Sequence, residues 1–239
     1  MGTLSRESHL SLAFSDEFQV CDVCGVVDTD QERINLGHPC SACGSPSAGG
    51  TSYFGLPVNM LINLIREASE SEAREIPVEH GSTLVPQVTA REIATVVFFC
   101  TLGEVLLEHF LRELVIAQRI PGGVVKRLLD DNLGLKRRID KLFPALTGRK
   151  WKDTIEDLEK QVRLPFGDAN QFYLRAAAAR NSFLHKGYKW TIKPDMQAKC
   201  LTQTKTLVFL FAALHNHFVR PFYGPQRPYL SRPSGAGGT

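Results

Sequence analysis

The 239-residue sequence contains no apolar run longer than Leu207–Leu214 (LVFLFAAL), well short of the roughly 20 residues a membrane-crossing helix needs. Its first ten residues, MGTLSRESHL, carry one arginine, one glutamate and no apolar stretch, so no secretory signal is expected there. Internal repeats are lacking, and so is strand-type alternation outside the cysteine-bearing segment. Strong charge imbalance is missing as well: 28 Lys and Arg stand against 25 Asp and Glu, with 43% hydrophobic and 22% charged residues. That balance excludes wholesale disorder. A globular, cytoplasmic protein with no membrane partner is the expectation.

What is present is unevenly distributed. Residues 1–48 hold two basic residues, Arg6 and Arg33, against seven acidic ones, so this segment carries −5 and the other 191 residues carry +8. Within 121–152, nine Lys and Arg face three Asp. A basic body favours polyanionic partners, nucleic acid first, although a solvated surface produces the same count.

Four of the six cysteines form C-x2-C-x15-C-x2-C: Cys21, Cys24, Cys40 and Cys43. Each pair can grip one side of a tetrahedral ion while a short hairpin runs between the pairs. Gly25 and Gly44 follow the second cysteine of each pair, where a residue without Cβ turns the backbone amides toward the thiolates. Four thiolates select Zn2+ over hard cations and leave no position open, which makes the ion structural. Two disulfides fit less well in a chain without an export signal, and a redox pair would not need a second copy at ribbon spacing. His38 lies near enough in sequence to substitute as a ligand. This zinc ribbon is acidic (Asp16, Glu17, Asp22, Asp28, Asp30, Glu32), which argues against a phosphate contact; a protein contact, a lid over a basic partner surface or simple stapling of the N-terminus fits better. Cys100 and Cys200 read as buried thiols.

The remainder reads as helical. Residues 44–52 (GSPSAGGTS) form a small-residue linker. A helix is expected from Leu56 to Arg74, with Pro57 in its first turn, then a loop over Glu75–Pro86. Thr89 and Glu92 form a capping box at the head of a long helix reaching Gln118. Shorter helices are expected near 124–131, 134–143 and 151–163, with Pro144–Gly148 as a break, and longer ones over 168–186 and 195–219. The fold class is therefore mainly α, an antiparallel helical bundle behind a small β zinc ribbon. The expected division is 1–48 ribbon, 49–88 linker and connecting helix, 89–220 bundle, and 221–239 flexible tail.

The sharpest feature of the body is RNSFLHKG at 180–187. Asn181 and His185 are four apart and share a helical face, with Arg180 about 100° round. A histidine can take the proton of an RNA 2′-hydroxyl, and an arginine can stabilise a phosphorane. Spacing alone is weak, because Arg33 and His38 repeat it, and a structural His185 near a helix C-terminus satisfies it equally.

In its setting, near the end of the penultimate long helix, the RN-x3-H motif resembles that of the HEPN domain family. The resemblance covers about 89–219, including the long first helix and LFPALTGRKW (142–151). It implies a metal-independent endoribonuclease working as a homodimer and leaving 2′,3′-cyclic phosphate and 5′-hydroxyl ends. By similarity Arg180 and His185 are catalytic, Asn181 orients them, and an acidic residue on the first long helix joins them: Glu104, with Glu108 as the substitute. A toxin or antiviral defence effector is the setting this implies, with a protein inhibitor or antitoxin as a further partner. One branch of the family places a tyrosine two residues after the histidine. Here Tyr188 stands three after, so regulation at that tyrosine is not implied. On the nuclease reading, Lys136, Arg137, Arg138, Arg149, Lys150, Lys152 and Lys186 would contact RNA. The rival reading is a non-catalytic nucleotide- or RNA-binding adaptor whose ribbon recruits a protein. A zinc-ribbon transcription regulator comes third.

Overall fold

The computed structural model describes residues 19–21, 23–28, 38–40, 42–46, 51–52, 55–72, 88–186, 191–193 and 195–222. Most of the acidic ribbon residues, the 75–86 loop, Tyr188 and the expected tail beyond Phe222 lie outside them.

Around the first cysteine pair, β1 (Gln19–Val20) and β2 (Val27–Asp28) form an antiparallel ladder of two residues a side. The hairpin therefore encloses Cys21–Val26; the stretch between the two cysteine pairs lies mostly outside the described residues. β3 (Thr51–Ser52) pairs with the other edge of β1, giving the order β2-β1-β3. The end of the small-residue segment 44–52 is thus a strand of the cysteine module's own sheet. Val20 and Val27 are buried and belong to the same hydrophobic cluster as the bundle.

Helix α1 (Gly55–Glu70) ends four residues earlier than expected. Its buried positions Val58, Ile62, Ile65 and Ser69 form one stripe, which packs against the central helix α2 (Ala90–Ala117). The expected capping box starts α2: Glu92 N–H donates to Thr89 Oγ1 at 3.2 Å, and Thr89 N–H donates to Glu92 Oε2 at 2.7 Å. Two orphan amides of the first turn are thereby satisfied. α2 is apolar enough over its length to cross a membrane, but 56% of its most apolar window is buried inside the protein. Its wide apolar surface is explained by neighbours on several sides, as for any central bundle helix.

After α3 (Gly122–Asp130), the chain forms a short α4 (Leu135–Arg137), a π-helical turn (Arg138–Leu142) and α5 (Phe143–Thr147). The expected break at Pro144 is absent. Pro144 has no N–H to donate and its ring crowds the preceding turn. The widened turn, in which Phe143 N–H donates to the Arg138 carbonyl, accommodates it. Gly148, at φ +70°, ends α5.

Three further helices complete the bundle: α6 (Trp151–Val162), α7 (Phe166–Lys186) and α8 (Asp195–Leu214). A second π turn (His215–Val219) extends α8 and again stands two residues before a proline, Pro221. α2 packs against α1, α7 and α8. LFPALTGRKW contributes Phe143 and Trp151 to an aromatic core, their rings edge-to-face at 4.9 Å and joined by Phe110, Phe211 and Phe218. The Trp151 indole N–H donates to Asn170 Oδ1 at 3.0 Å, so the buried ring leaves no unpaired donor.

Candidate functional site

The two cysteine knuckles have the same backbone geometry. Gly25 N–H donates to the Cys21 carbonyl and Gly44 N–H to the Cys40 carbonyl, both at 2.8 Å. Gly25 and Gly44 sit at φ +67° and +70°, the left-handed region a side chain would strain. These turns bring Cys21, Cys24, Cys40 and Cys43 Sγ within 4.8 Å of one another. The contacts cross between pairs: Cys21 to Cys43 and Cys24 to Cys40, both 3.7 Å. A tetrahedron with metal–sulfur bonds of about 2.3 Å has sulfur–sulfur edges of about 3.8 Å, so the four sulfurs fit a single ion. Cys24 and Cys40 are buried, Cys43 exposed. Burial pushes the Cys24 thiol up to about 12. The hydroxyl and backbone amide of Ser45 pull Cys43 down to about 6. His38 is exposed and outside this cluster.

The helical motif separates into two environments. Ala176 and Ala177 on α7 are buried, and α7 packs against α2. Two turns past Tyr173, Arg180 reaches Glu104 of α2 with both terminal nitrogens: Nη1 donates to Oε2 at 3.2 Å, and Nη2 pairs with Oε1. Arg180's side chain is 12% exposed and Glu104's 38%. The Glu104 bond and charge outweigh desolvation and hold Arg180 more firmly protonated than usual. Asn181, Leu184 and His185 point to solvent. Among the described residues the side chains of Asn181 and His185 have no hydrogen-bond partner. The structure thus brings Arg180 to Glu104, but does not bring Asn181 or His185 into contact with that pair.

Glu108, one turn beyond Glu104, holds two other arginines: Arg112 at 2.9 Å and Arg138 at 3.3 Å. Partial burial opposes its charge, but Arg112 and Arg138 keep its carboxyl below the usual range. The side chain of Arg138 is 8% exposed, and its Nε donates to the Asn132 carbonyl at 3.1 Å. Arg138, expected from the sequence to contact RNA, is thus a buried cation whose Nε and Nη2 bind the Asn132 carbonyl and Glu108. Arg149 is half-buried and paired with Asp157. Lys152 lies 3.7 Å from Glu156. Lys136, Arg137, Lys150 and Lys186 are exposed.

Two residues at this site carried no functional signal in the sequence, Tyr173 and Gly103. The available signal was a glycine in the interior of a 28-residue helix, which usually marks close packing. A separate cavity of about 250 Å³, lined by Leu158, Val162, Phe209, Ala213, Asn216 and His217 among others, contains none of the expected site residues. No protein-family model, no characterised protein and no solved structure matches the chain.

Proposed function

We propose that this chain is a HEPN-type, metal-independent endoribonuclease, active as a homodimer, with a structural Zn2+ held in a small N-terminal ribbon. The observation that carries the reading is the Glu104–Arg180 pair: an acidic residue of the long first bundle helix fixes the motif arginine, while Asn181 and His185 remain exposed on the same helix. A fixed guanidinium is pre-organised for charge that develops in a transition state. Two of its five N–H groups serve Glu104 and the Nε–H is buried, leaving the second N–H of each terminal nitrogen for a phosphate.

Neutral His185 accepts the proton of a ribose 2′-hydroxyl. The oxygen attacks the adjacent phosphorus, the bond to the 5′ oxygen breaks, and a 2′,3′-cyclic phosphate forms. The departing oxygen takes a proton from an imidazolium, leaving a 5′-hydroxyl. Arg180 stabilises the phosphorane oxygens, and Asn181 orients the phosphate. Two copies of α7 facing each other would build the cleft between them. The Zn2+ would cross-link the N-terminal segment and take no part in this chemistry.

The test is cleavage of mixed single-stranded and structured RNA in EDTA by wild type, Arg180→Ala and His185→Ala. EDTA-resistant cleavage with cyclic-phosphate ends, lost in both variants, supports the reading; cleavage unchanged in His185→Ala refutes it. One observation favours the adaptor reading, namely that Arg180 is largely buried and already engaged by Glu104. Salt-dependent RNA binding without cleavage, unaffected by loss of Arg180 and His185, would establish that reading instead.

A further inference from the structure

Gly103 is buried in the interior of α2, where glycine weakens a helix relative to alanine. A Cβ at this position would lie 2.2 Å from Tyr173 Cε2, 2.6 Å from Cζ and 2.7 Å from Cδ2. Real Cβ atoms do not approach a ring this closely, so the Tyr173 ring lies directly on the α2 backbone. The ring is 2% exposed, and Phe99 meets it edge-on with centroids 6.4 Å apart. No flexible side-chain end is involved, so neither the ring nor the backbone can give way cheaply.

This seat and the ion pair lie on the same two helices. Glu104 is the residue after Gly103 on α2, and Arg180 is two turns along the same face of α7 from Tyr173. The Tyr173 hydroxyl is buried and, among the described residues, has no hydrogen-bond partner. Burial, and then the Glu104 carboxylate, raise the phenol's pKa, so it stays neutral and does not compete with Glu104 for the guanidinium. The ring rather than the hydroxyl makes the contact that matters.

We infer that Tyr173, seated in the slot left by Gly103, is a positioning residue that sets the α2–α7 spacing at which Glu104 holds Arg180. Its consequence for catalysis rests on the nuclease reading; the spacing itself does not.

The experiment uses the full chain with its metal, in four backgrounds: wild type, Gly103→Ala, Tyr173→Phe, and Gly103→Ala with Tyr173→Leu. In each, Glu104→Gln and Arg180→Met are made singly and together, and Tm is measured. In wild type and Tyr173→Phe, the paired change should lower Tm no further than the worse single change, the sign of a direct contact. In Gly103→Ala that non-additivity should vanish, and in the Gly103→Ala/Tyr173→Leu background it should return, because the shorter side chain vacates the slot. RNA-cleavage kcat should fall ~10²-fold in Gly103→Ala with KM little changed, as a misplaced transition-state group predicts.

Non-additivity of wild-type size in Gly103→Ala overturns the proposal. So does its loss in Tyr173→Phe, which would assign the effect to the hydroxyl. If Gly103→Ala does not fold, the Gly103→Ala/Tyr173→Leu background decides: folding with non-additivity intact supports the proposal, and failure to fold overturns it. If the Tm pattern holds while wild type cleaves no RNA, the positioning role stands and the nuclease reading falls.

Discussion

Asn216 closes both ends of its carboxamide on the backbone of Val27: Oδ1 accepts from Val27 N–H at 2.7 Å, and Nδ2 donates to the Val27 carbonyl at 2.9 Å. β2 is an edge strand, so this side chain acts as one rung of a further strand and covers an otherwise open edge. One residue earlier, His215 Nε2 lies 3.1 Å from the Gly25 carbonyl, inside the first knuckle. The cysteine module is therefore clamped to the end of α8 rather than tethered by a linker. Asn216→Leu should leave both Val27 groups unsatisfied and cost about 1–3 kcal/mol in chemical denaturation. Asn216→Asp keeps the acceptor but loses the donor, so it too should destabilise; wild-type stability in both variants would contradict the clamp.

The same clamp predicts that metal loss is felt in the bundle. The purified chain should carry one Zn2+, and displacing it with an organomercurial should lower Tm by roughly 10 °C, since metal binding and folding are linked. Trp151 fluorescence should shift at the same time, because Trp151 packs on Phe211 and Phe143, and Phe143 in turn meets Phe218 of the terminal π turn. Cys24→Ser, at a buried ligand, should abolish metal retention more completely than Cys43→Ser at an exposed one. Unchanged melting after displacement would mean the ion does not brace the fold.

His215 gives the fold an acid-sensitive point. Burial pushes its imidazole down to about 4, against the Gly25 carbonyl bond that favours the cation, and His109 adds to the depression. The unfolded chain, with a pKa near 6.5, binds the proton first as pH falls. Stability is therefore complete above about pH 6.5 and declines toward pH 4, by about 1.4 kcal/mol per pH unit and at most about 3 kcal/mol in all. Denaturation midpoints of wild type and His215→Gln should converge as the pH drops through this window. Parallel curves would show that His215 is not the group responsible.

What was legible in the chain was local. The Thr89–Glu92 capping box, the cysteine spacing and the glycines behind each knuckle depend on neighbours within a few residues, and each stands where the pattern put it. The two π turns were not legible: a proline reads as a helix stop, and whether it stops the helix or widens the preceding turn depends on packing around it. Lys136-Arg137-Arg138 reads as one basic surface, yet Arg138 turns inward because Glu108 waits for it on a helix 30 residues away. Thr51–Ser52 offered no strand pattern, since β1 rather than its own composition makes it a strand. Asn216 resembles any other polar residue near a helix end until Val27 is placed beside it.

Arg180 separates charge from shape. Lysine would restore a cation but not the two-nitrogen grip on Glu104. On the proposed mechanism Arg180→Lys should lower kcat by about 10²-fold, close to Arg180→Ala, with RNA affinity largely kept. Glu104→Gln should cost about 1–2 kcal/mol of stability, less than a fully buried pair because Glu104's outer edge is wet. Full activity in Arg180→Lys would mean that only charge is needed and that the Glu104 geometry is incidental.

The basic segment offers the last contrast, between two adjacent arginines. Arg137 is exposed, and its Nη1 donates to the Asp131 carbonyl at 3.4 Å. Arg138 is buried and bound to Glu108 and Asn132. If Lys136 and Arg137 meet the RNA backbone, replacing either with alanine should weaken binding uniformly across sequences. Each should also reduce the slope of log K against log salt by about 0.7 for a single strand. Arg138→Ala should leave that slope unchanged and instead lower Tm, because it strands part of Glu108's charge and opens a gap beneath the π turn. A salt slope that falls in Arg138→Ala while Tm holds would place Arg138 on the RNA after all, and would require the turn at 138–142 to open before substrate binds.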